Sequence, residues 1–236
     1  MDPLMIHIET ATQICSVALS EGDKVIGVKE SHEERSHAAQ LTPFMKEVVL
    51  ESGKKFSDLA AVCVSIGPGS YTGLRIGIST AKGLAFGLDI PVIAVDTLES
   101  LSRVALPSIL TDQPDNQLPL LLCPMLDARR MEVYTALYRP DLSLFREVEA
   151  QIIQEDSFGA LLEDYRIVFF GNGSDKCRDL IRHPNARFVS GINPSAAGMI
   201  PPALQSFKDK KFEDSAYFEP RYLKDFLATT PKKKLF

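Results

Sequence analysis

The run Gly67-Pro68-Gly69-Ser70-Tyr71-Thr72-Gly73-Leu74-Arg75-Ile76-Gly77 constrains the fold more than any other stretch of this chain. It stands between an apolar, strand-like segment at 61–66 and a long helical pattern, so it is the turn of a strand–turn–helix unit. Glycine admits positive φ and close backbone approach. A glycine-rich turn feeding a helix N-terminus also leaves N–H groups pointing outward, an arrangement suited to anions. Phosphate is one candidate guest, with Gly67, Gly69 and Ser70 as its contacts.

The helix that follows offers a second reading. Gly73, Gly77, Ala81 and Ala85 form a small-residue stripe at fourfold spacing, and Ser79, Gly83 and Gly87 form another, so much of the surface is nearly bare backbone. Each interior glycine costs about 0.8–1.0 kcal/mol relative to alanine, so Gly77 and Gly83 together give up roughly 2 kcal/mol that close packing on another element offsets. The stripe predicts a contact surface, on which a bulky residue at Gly77 or Ala81 blocks association while leaving the fold mostly intact.

Composition bounds the rest. The 236 residues are 45% hydrophobic and 24% charged, ordinary values for a chain with a sizeable core. No stretch approaches the ~18 consecutive apolar residues of a membrane span. Met1-Asp2-Pro3-Leu4 does not read as a secretory signal, and the expectation is a cytoplasmic protein. Cys15, Cys63, Cys123 and Cys177 are widely spaced, three of them in apolar runs, as buried reduced thiols are. Asn172-Gly173-Ser174 reads as a turn. A net charge of −5, with Lys232-Lys233-Lys234 the one dense basic run, argues against strong autonomous binding of tRNA or DNA, whose affinity rests on phosphate neutralisation.

Three short strands open the chain, at 5–8, 14–20 and 25–29, with a turn at Glu21-Gly22-Asp23. A helix at 36–51 follows, carrying Leu41, Phe44, Met45, Val48 and Val49 at helical spacing with Pro43 as a kink or late start. Then come a strand at 61–66, a helix at 72–88, a strand at 91–95 and a helix from Thr97, which implies parallel pairing with a right-handed crossover. Residues 107–119, rich in Pro, Asp, Gln and Asn, read as a linker between a first domain at 1–106 and a second at 120–236. The second begins as the first does: a strand at 120–126 ends in Asp127, and an alternating strand at 132–138 follows. That is the mark of a diverged duplication. Beyond it a strand at 167–170, a helix at 175–182 and a weak tail are legible.

The fold class is α/β, two related βββαβαβα-type domains of which the second is reduced. A strand ending in an acid, present twice, fits two domains facing a cleft, with Glu9, Thr10 and Asp127 as candidates to approach a bound phosphate or its metal. Structural acids at strand ends are equally common. His32 and His37 are five residues apart rather than three or four, and Leu41 follows His37 by one turn, so a capping or solvent-facing role fits better than metal ligation. Ser70 and Thr72 match neither a nucleophile elbow nor a P-loop, and helix capping explains them. Arg75 faces an anionic partner or pairs with a local acid.

The 67–77 run followed by Ala81-Lys82-Gly83-Leu84-Ala85 resembles the signature of the TsaB (formerly YeaZ) family. Further matches are Arg35-Ser36-His37 leading to Leu41-Thr42-Pro43, Asp127-Ala128-Arg129 with Glu132-Val133-Tyr134, Gly171-Asn172-Gly173, and Pro220-Arg221-Tyr222-Leu223. The resemblance implies an actin-like ATPase (ASKHA) fold. It also implies a non-catalytic role as an activating subunit of a catalytic paralogue, TsaD, which with an ATPase, TsaE, adds threonylcarbamoyl to the adenosine beside the anticodon of tRNAs reading codons that begin with A. On this reading tRNA is met through the complex. His37, Leu41, Met45 and Val48 on the first helix and Gly73, Arg75, Gly77, Ala81 and Gly83 on the second join TsaD or a second copy of the chain as a helical bundle.

Two departures qualify the resemblance. The paralogue's metal site needs two histidines four residues apart, and Leu41 stands in the second place, so no metal site and no protease are expected. The family usually carries Asp-Thr-Ser where this chain has Glu9-Thr10-Ala11, which weakens the case for independent ATP or ADP binding with magnesium. A competing reading is a small actin-like ATPase or phosphotransferase working through Glu9, Asp127 and the turn at 67–73.

Overall fold

In β1 (Leu4–Glu9) every residue is buried, because the strand pairs on both edges and is covered on both faces. This arrangement comes from a computed structural model that describes residues 2–33, 37–111 and 118–223. On one edge of β1 lies β2 (Cys15–Glu21), antiparallel, then β3 (Lys24–Ser31). On the other lies β4 (Ala61–Gly67), parallel, then β5 (Val92–Asp96). The sheet order is β3-β2-β1-β4-β5.

The second sheet repeats this plan. Its strands are β6 (Leu120–Asp127), β7 (Glu132–Tyr138), β8 (Leu144–Ile152), β9 (Arg166–Phe170) and β10 (Ala186–Val189), in the order β8-β7-β6-β9-β10. Again the first strand is central, antiparallel to the second and parallel to the fourth. The same five-strand order and polarity, twice, is the actin-like α/β fold.

Helices α1 (His37–Glu51) and α2 (Tyr71–Leu88) cover one face of the first sheet. Leu4, Ile6 and Ile8 of β1 point to that side, and Met5 points to the other, as the period of two requires. The opposite face is covered by chain from far downstream: a 3-10 turn, Ala196–Met199, running into α5 (Ile200–Lys208). Helix α3 (Thr97–Thr111), although it leaves the first sheet, packs through Leu98, Leu101, Ala105 and Ile109 on Leu120, Leu122 and Val168 of the second.

The linker expected at 107–119 begins inside α3. Residues 107–111 are helical, with Pro107 inside α3 and Ile109 buried, because the apolar face of α3 outweighs the breaker-rich composition. The first sheet's back layer comes from the C-terminal third. Residues 112–117 and the lysine run lie outside the described residues.

The second half is reduced in its helices rather than its strands. Helix α4 (Gly159–Asp164) has six residues where α1 has fifteen. The helix expected at 175–182 is a single 3-10 turn, Asp175–Cys177. Both Leu180 and Ile181 return their N–H to the Cys177 carbonyl, and Pro184 disfavours helical backbone at His183, so the turn does not propagate. All four cysteines are buried and free.

Candidate functional site

The end of β1 meets the start of α2 with little room to spare. Ser70 N donates to the Ala11 carbonyl at 2.6 Å, and Leu74 N returns to the Ser70 carbonyl at 2.9 Å. Thr10 Oγ1 donates to the Gly73 carbonyl at 2.9 Å, and Ser70 Oγ accepts from Gly73 N, which makes it the helix N-cap. A Cβ on Gly69 would collide with the Ala11 carbonyl, one on Gly73 with the Thr10 carbonyl, and one on Gly77 with Thr10 Oγ1. Glycine at these places lets two backbones touch.

This packing redirects two expectations. Within the turn, Ser70 N and Gly73 N are taken by the chain itself, which reduces the donors the turn can offer an anion. The small-residue stripe also has an owner: Gly73, Gly77, Ala81 and Ala85 are buried against the chain's own first sheet. They cannot form a partner surface, and a bulky residue at Gly77 would unseat Thr10 rather than spare the fold. His37, Leu41, Met45 and Val48 are likewise buried under α1. His37 Nε2 lies 3.2 Å from the Ile14 carbonyl, holding the helix start to the sheet.

Of the residues expected at a partner face, Arg75 and Gly83 are exposed. They share one side of α2 with Ser79 and Phe86, and Phe86 is 87% exposed. Nothing lies within 4 Å of where a Cβ would stand on Gly83 or Gly87. On α1, Thr42, Pro43, Lys46, Glu47 and Leu50 line a shallow groove. The outward side of the helix pair therefore combines a large uncovered aromatic with open backbone.

Glu9 is fully buried at the end of β1, with Oε1 accepting from Ala11 N at 2.6 Å and Oε2 without a partner. Burial pushes its carboxyl up to about 7, against hydrogen bonds from the Ala11 backbone, the Ser65 hydroxyl and the Thr10 backbone, with Asp96 nearby adding to the rise. Asp96 closes β5 and caps α3, its Oδ1 accepting from Leu98 N and Glu99 N. Its Oδ2 pairs with Arg221 Nη1 at 2.8 Å. Burial raises its carboxyl too, opposed by the Glu99 backbone and Arg221.

Asp127 ends β6 as Glu9 ends β1, but it is exposed and held by Lys176. Lys176 Nζ also donates to the carbonyls of Arg130 and Glu132, both at 2.7 Å, and so braces the β6–β7 turn. Gly171 and Gly173 press on the end of β6 as Gly69 and Gly73 press on that of β1. The duplication thus extends to its tightest contacts. No hydrogen bond joins Glu9 to Asp127, and one is buried while the other carries its own cation. Among the described residues no group of three or more His, Cys, Asp or Glu could hold a metal ion.

Asp96, Lys176 and Phe86 escaped the sequence reading. Asp96 stands at the N-cap position before Thr97-Leu98-Glu99, a legible cap signal. Nothing local marks Lys176 or Phe86, whose places depend on tertiary packing.

Comparison with known proteins agrees with the geometry. The profile of the family described as "TsaD: tRNA N6-adenosine threonylcarbamoyltransferase" matches residues 15–230. The tRNA threonylcarbamoyladenosine biosynthesis protein TsaB of Escherichia coli is 32% identical, over 95% of this chain and 96% of its own length. Its namesake in Bacillus subtilis is 30% identical, over 93% of each. YeaZ from Pseudomonas aeruginosa superposes with a TM-score of 0.78 at 24% identity, covering 94% of this chain and all of its own. Fold and relatives together define an actin-like protein of the threonylcarbamoyladenosine pathway. Within that class, the chain belongs to the TsaB family.

Proposed function

We propose that this chain is the accessory, non-catalytic subunit of the tRNA threonylcarbamoyl-transferring complex. It docks on the catalytic relative, TsaD, through the outward side of α1 and α2. The observation that carries this reading is the uncovered α2 face, where Phe86 is 87% exposed beside Arg75, Ser79 and Gly83. An aromatic and an arginine beside open backbone are the residue types of a protein–protein anchor, and the short side chains admit a second helix closely.

The same reading accounts for the interior. Glu9 and Asp127 hold the two strand ends in place rather than meeting substrate, and any nucleotide contact belongs to the assembled complex. TsaE and tRNA meet this chain only there. The chain's negative charge suits a subunit whose partner supplies the basic surface for RNA. The test is calorimetric titration of TsaD with the wild-type chain and with Phe86→Asp. Tight binding that the substitution weakens by about a hundredfold supports the reading. Equal affinity, or none for either, overturns it.

A further inference from the structure

Residues 213–222 cross the first sheet and α2 as a strap. Glu213 N donates to the Val92 carbonyl at 2.9 Å, an antiparallel bridge on the outer edge of β5. Lys82 Nζ on α2 donates to the carbonyls of Ala216 and Phe218, and the Phe218 side chain enters the first core. Arg221 N donates to the Ile66 carbonyl at 2.8 Å while its guanidinium takes Asp96. Tyr222 then lies on Tyr71, ring centroids 4.9 Å apart. Tyr71, the first residue of α2, accepts a hydrogen bond from Arg75 Nη1 at 2.6 Å, and the Arg75 guanidinium sits 5.1 Å from its ring centre.

These contacts form one relay from the floor of the first sheet to the outer face of α2: Asp96, Arg221, Tyr222, Tyr71, Arg75. We propose that Arg221 and Tyr222 are positioning residues for partner recognition, and that they act by fixing Arg75 in a single orientation through Tyr71. This rests on the docking of α2 proposed above. A free arginine side chain forfeits much of its rotamer entropy when it is immobilised at an interface. Stacking on Tyr71 meets that cost in the unbound chain. Tyr71 is held in turn between α2 and a strap anchored by a partly buried ion pair. Arg221 makes both a backbone and a side-chain bond within one residue of Tyr222, so the ring position is set from two directions.

The relay makes a prediction that simple anchoring of the C-terminal segment does not. In the 15N-labelled full chain, the Arg75 Nη–H resonance, the donor to Tyr71 and assigned with Arg75→Lys, should be shifted and slow to exchange. It should collapse to the position of a free arginine in Tyr222→Ala and Arg221→Ala but stay in Tyr222→Phe, which keeps the ring. In titration against TsaD, Tyr222→Ala should bind about tenfold more weakly. Tyr222→Phe should bind like wild type, and Tyr222→Ala combined with Arg75→Ala no worse than Arg75→Ala alone. Additive losses, or an Arg75 signal indifferent to Tyr222→Ala, overturn the proposal. Should the resonance respond while the wild-type chain fails to bind TsaD, the positioning stands and the docking reading falls.

Discussion

Thr10 and Gly73 interlock: the Thr10 hydroxyl donates to the Gly73 carbonyl at 2.9 Å, and the Thr10 carbonyl occupies the space a side chain at 73 would need. The Thr10 carbonyl is main chain rather than the end of a flexible side chain, so a side chain at 73 cannot be accommodated cheaply. Gly73→Ala should therefore destabilise the protein by about 1–3 kcal/mol or more through overpacking. Gly83→Ala, ten residues on in the same helix and with nothing near its Cβ position, should stabilise by about 0.5–1 kcal/mol through helix propensity. Urea unfolding of the pair reads the difference, and equal effects would contradict the assignment of inner and outer faces.

Glu9 predicts a pH signature. Its folded value near 7 lies above the ordinary 4.5, so the native state keeps a proton that the unfolded chain releases. Its contribution to stability is fully present below about pH 4.5 and is lost as pH rises through 7. Glu9→Gln should gain on wild type across that window, by on the order of 3 kcal/mol in total. His7, fully buried and lowered to about 3 by that burial, works in the opposite sense: its contribution is present above pH 6.5 and lost as pH falls. The wild-type profile should therefore be flat where the two overlap. Chemical denaturation at several pH values checks both, and a constant gap between Glu9→Gln and wild type would remove Glu9 from the account.

Lys176 should be the larger partner of its pair. It serves the Asp127 carboxylate and two carbonyls, whereas Asp127 loses one counter-charge in an exposed setting. Lys176→Met should cost about 1–2 kcal/mol, and Asp127→Asn about 0.5 kcal/mol, since solvent screens the exposed carboxylate. Thermal unfolding of the two variants ranks them.

Nucleotide should leave the free chain unmoved. With Ser70 N and Gly73 N engaged and Asp127 paired, ATP and magnesium at ~1 mM should give no thermal shift, whereas a ligand at a hundred times its Kd stabilises by about 2.7 kcal/mol. A clear shift would restore the phosphate reading of Glu9 and the 67–73 turn.

Much of this architecture was legible along the chain. The strand starts, α1 and α2 follow from period and punctuation, and the acids that end β1 and β6 mark the duplication in the sequence. What escaped depended on contacts distant in sequence. The half-exposed strand β8 and the short β10 lack a buried apolar run, and α3 carries its apolar face past Pro107 because its partner is the second sheet. The site shows the same limit. The glycine stripe correctly signalled a close approach, yet spacing alone does not say whether the approaching backbone is Thr10 of the same chain or a helix of another.

The central claim is that this chain activates a transferase without performing the reaction. The most direct measurement is threonylcarbamoylation of tRNA by purified TsaD and TsaE with threonylcarbamoyl-adenylate and ATP, run without this chain, with it, and with Phe86→Asp. The account predicts modification only with the wild-type chain and its loss in the Phe86 variant. Equal modification in the absence of the chain, or full activity of Phe86→Asp, would contradict it.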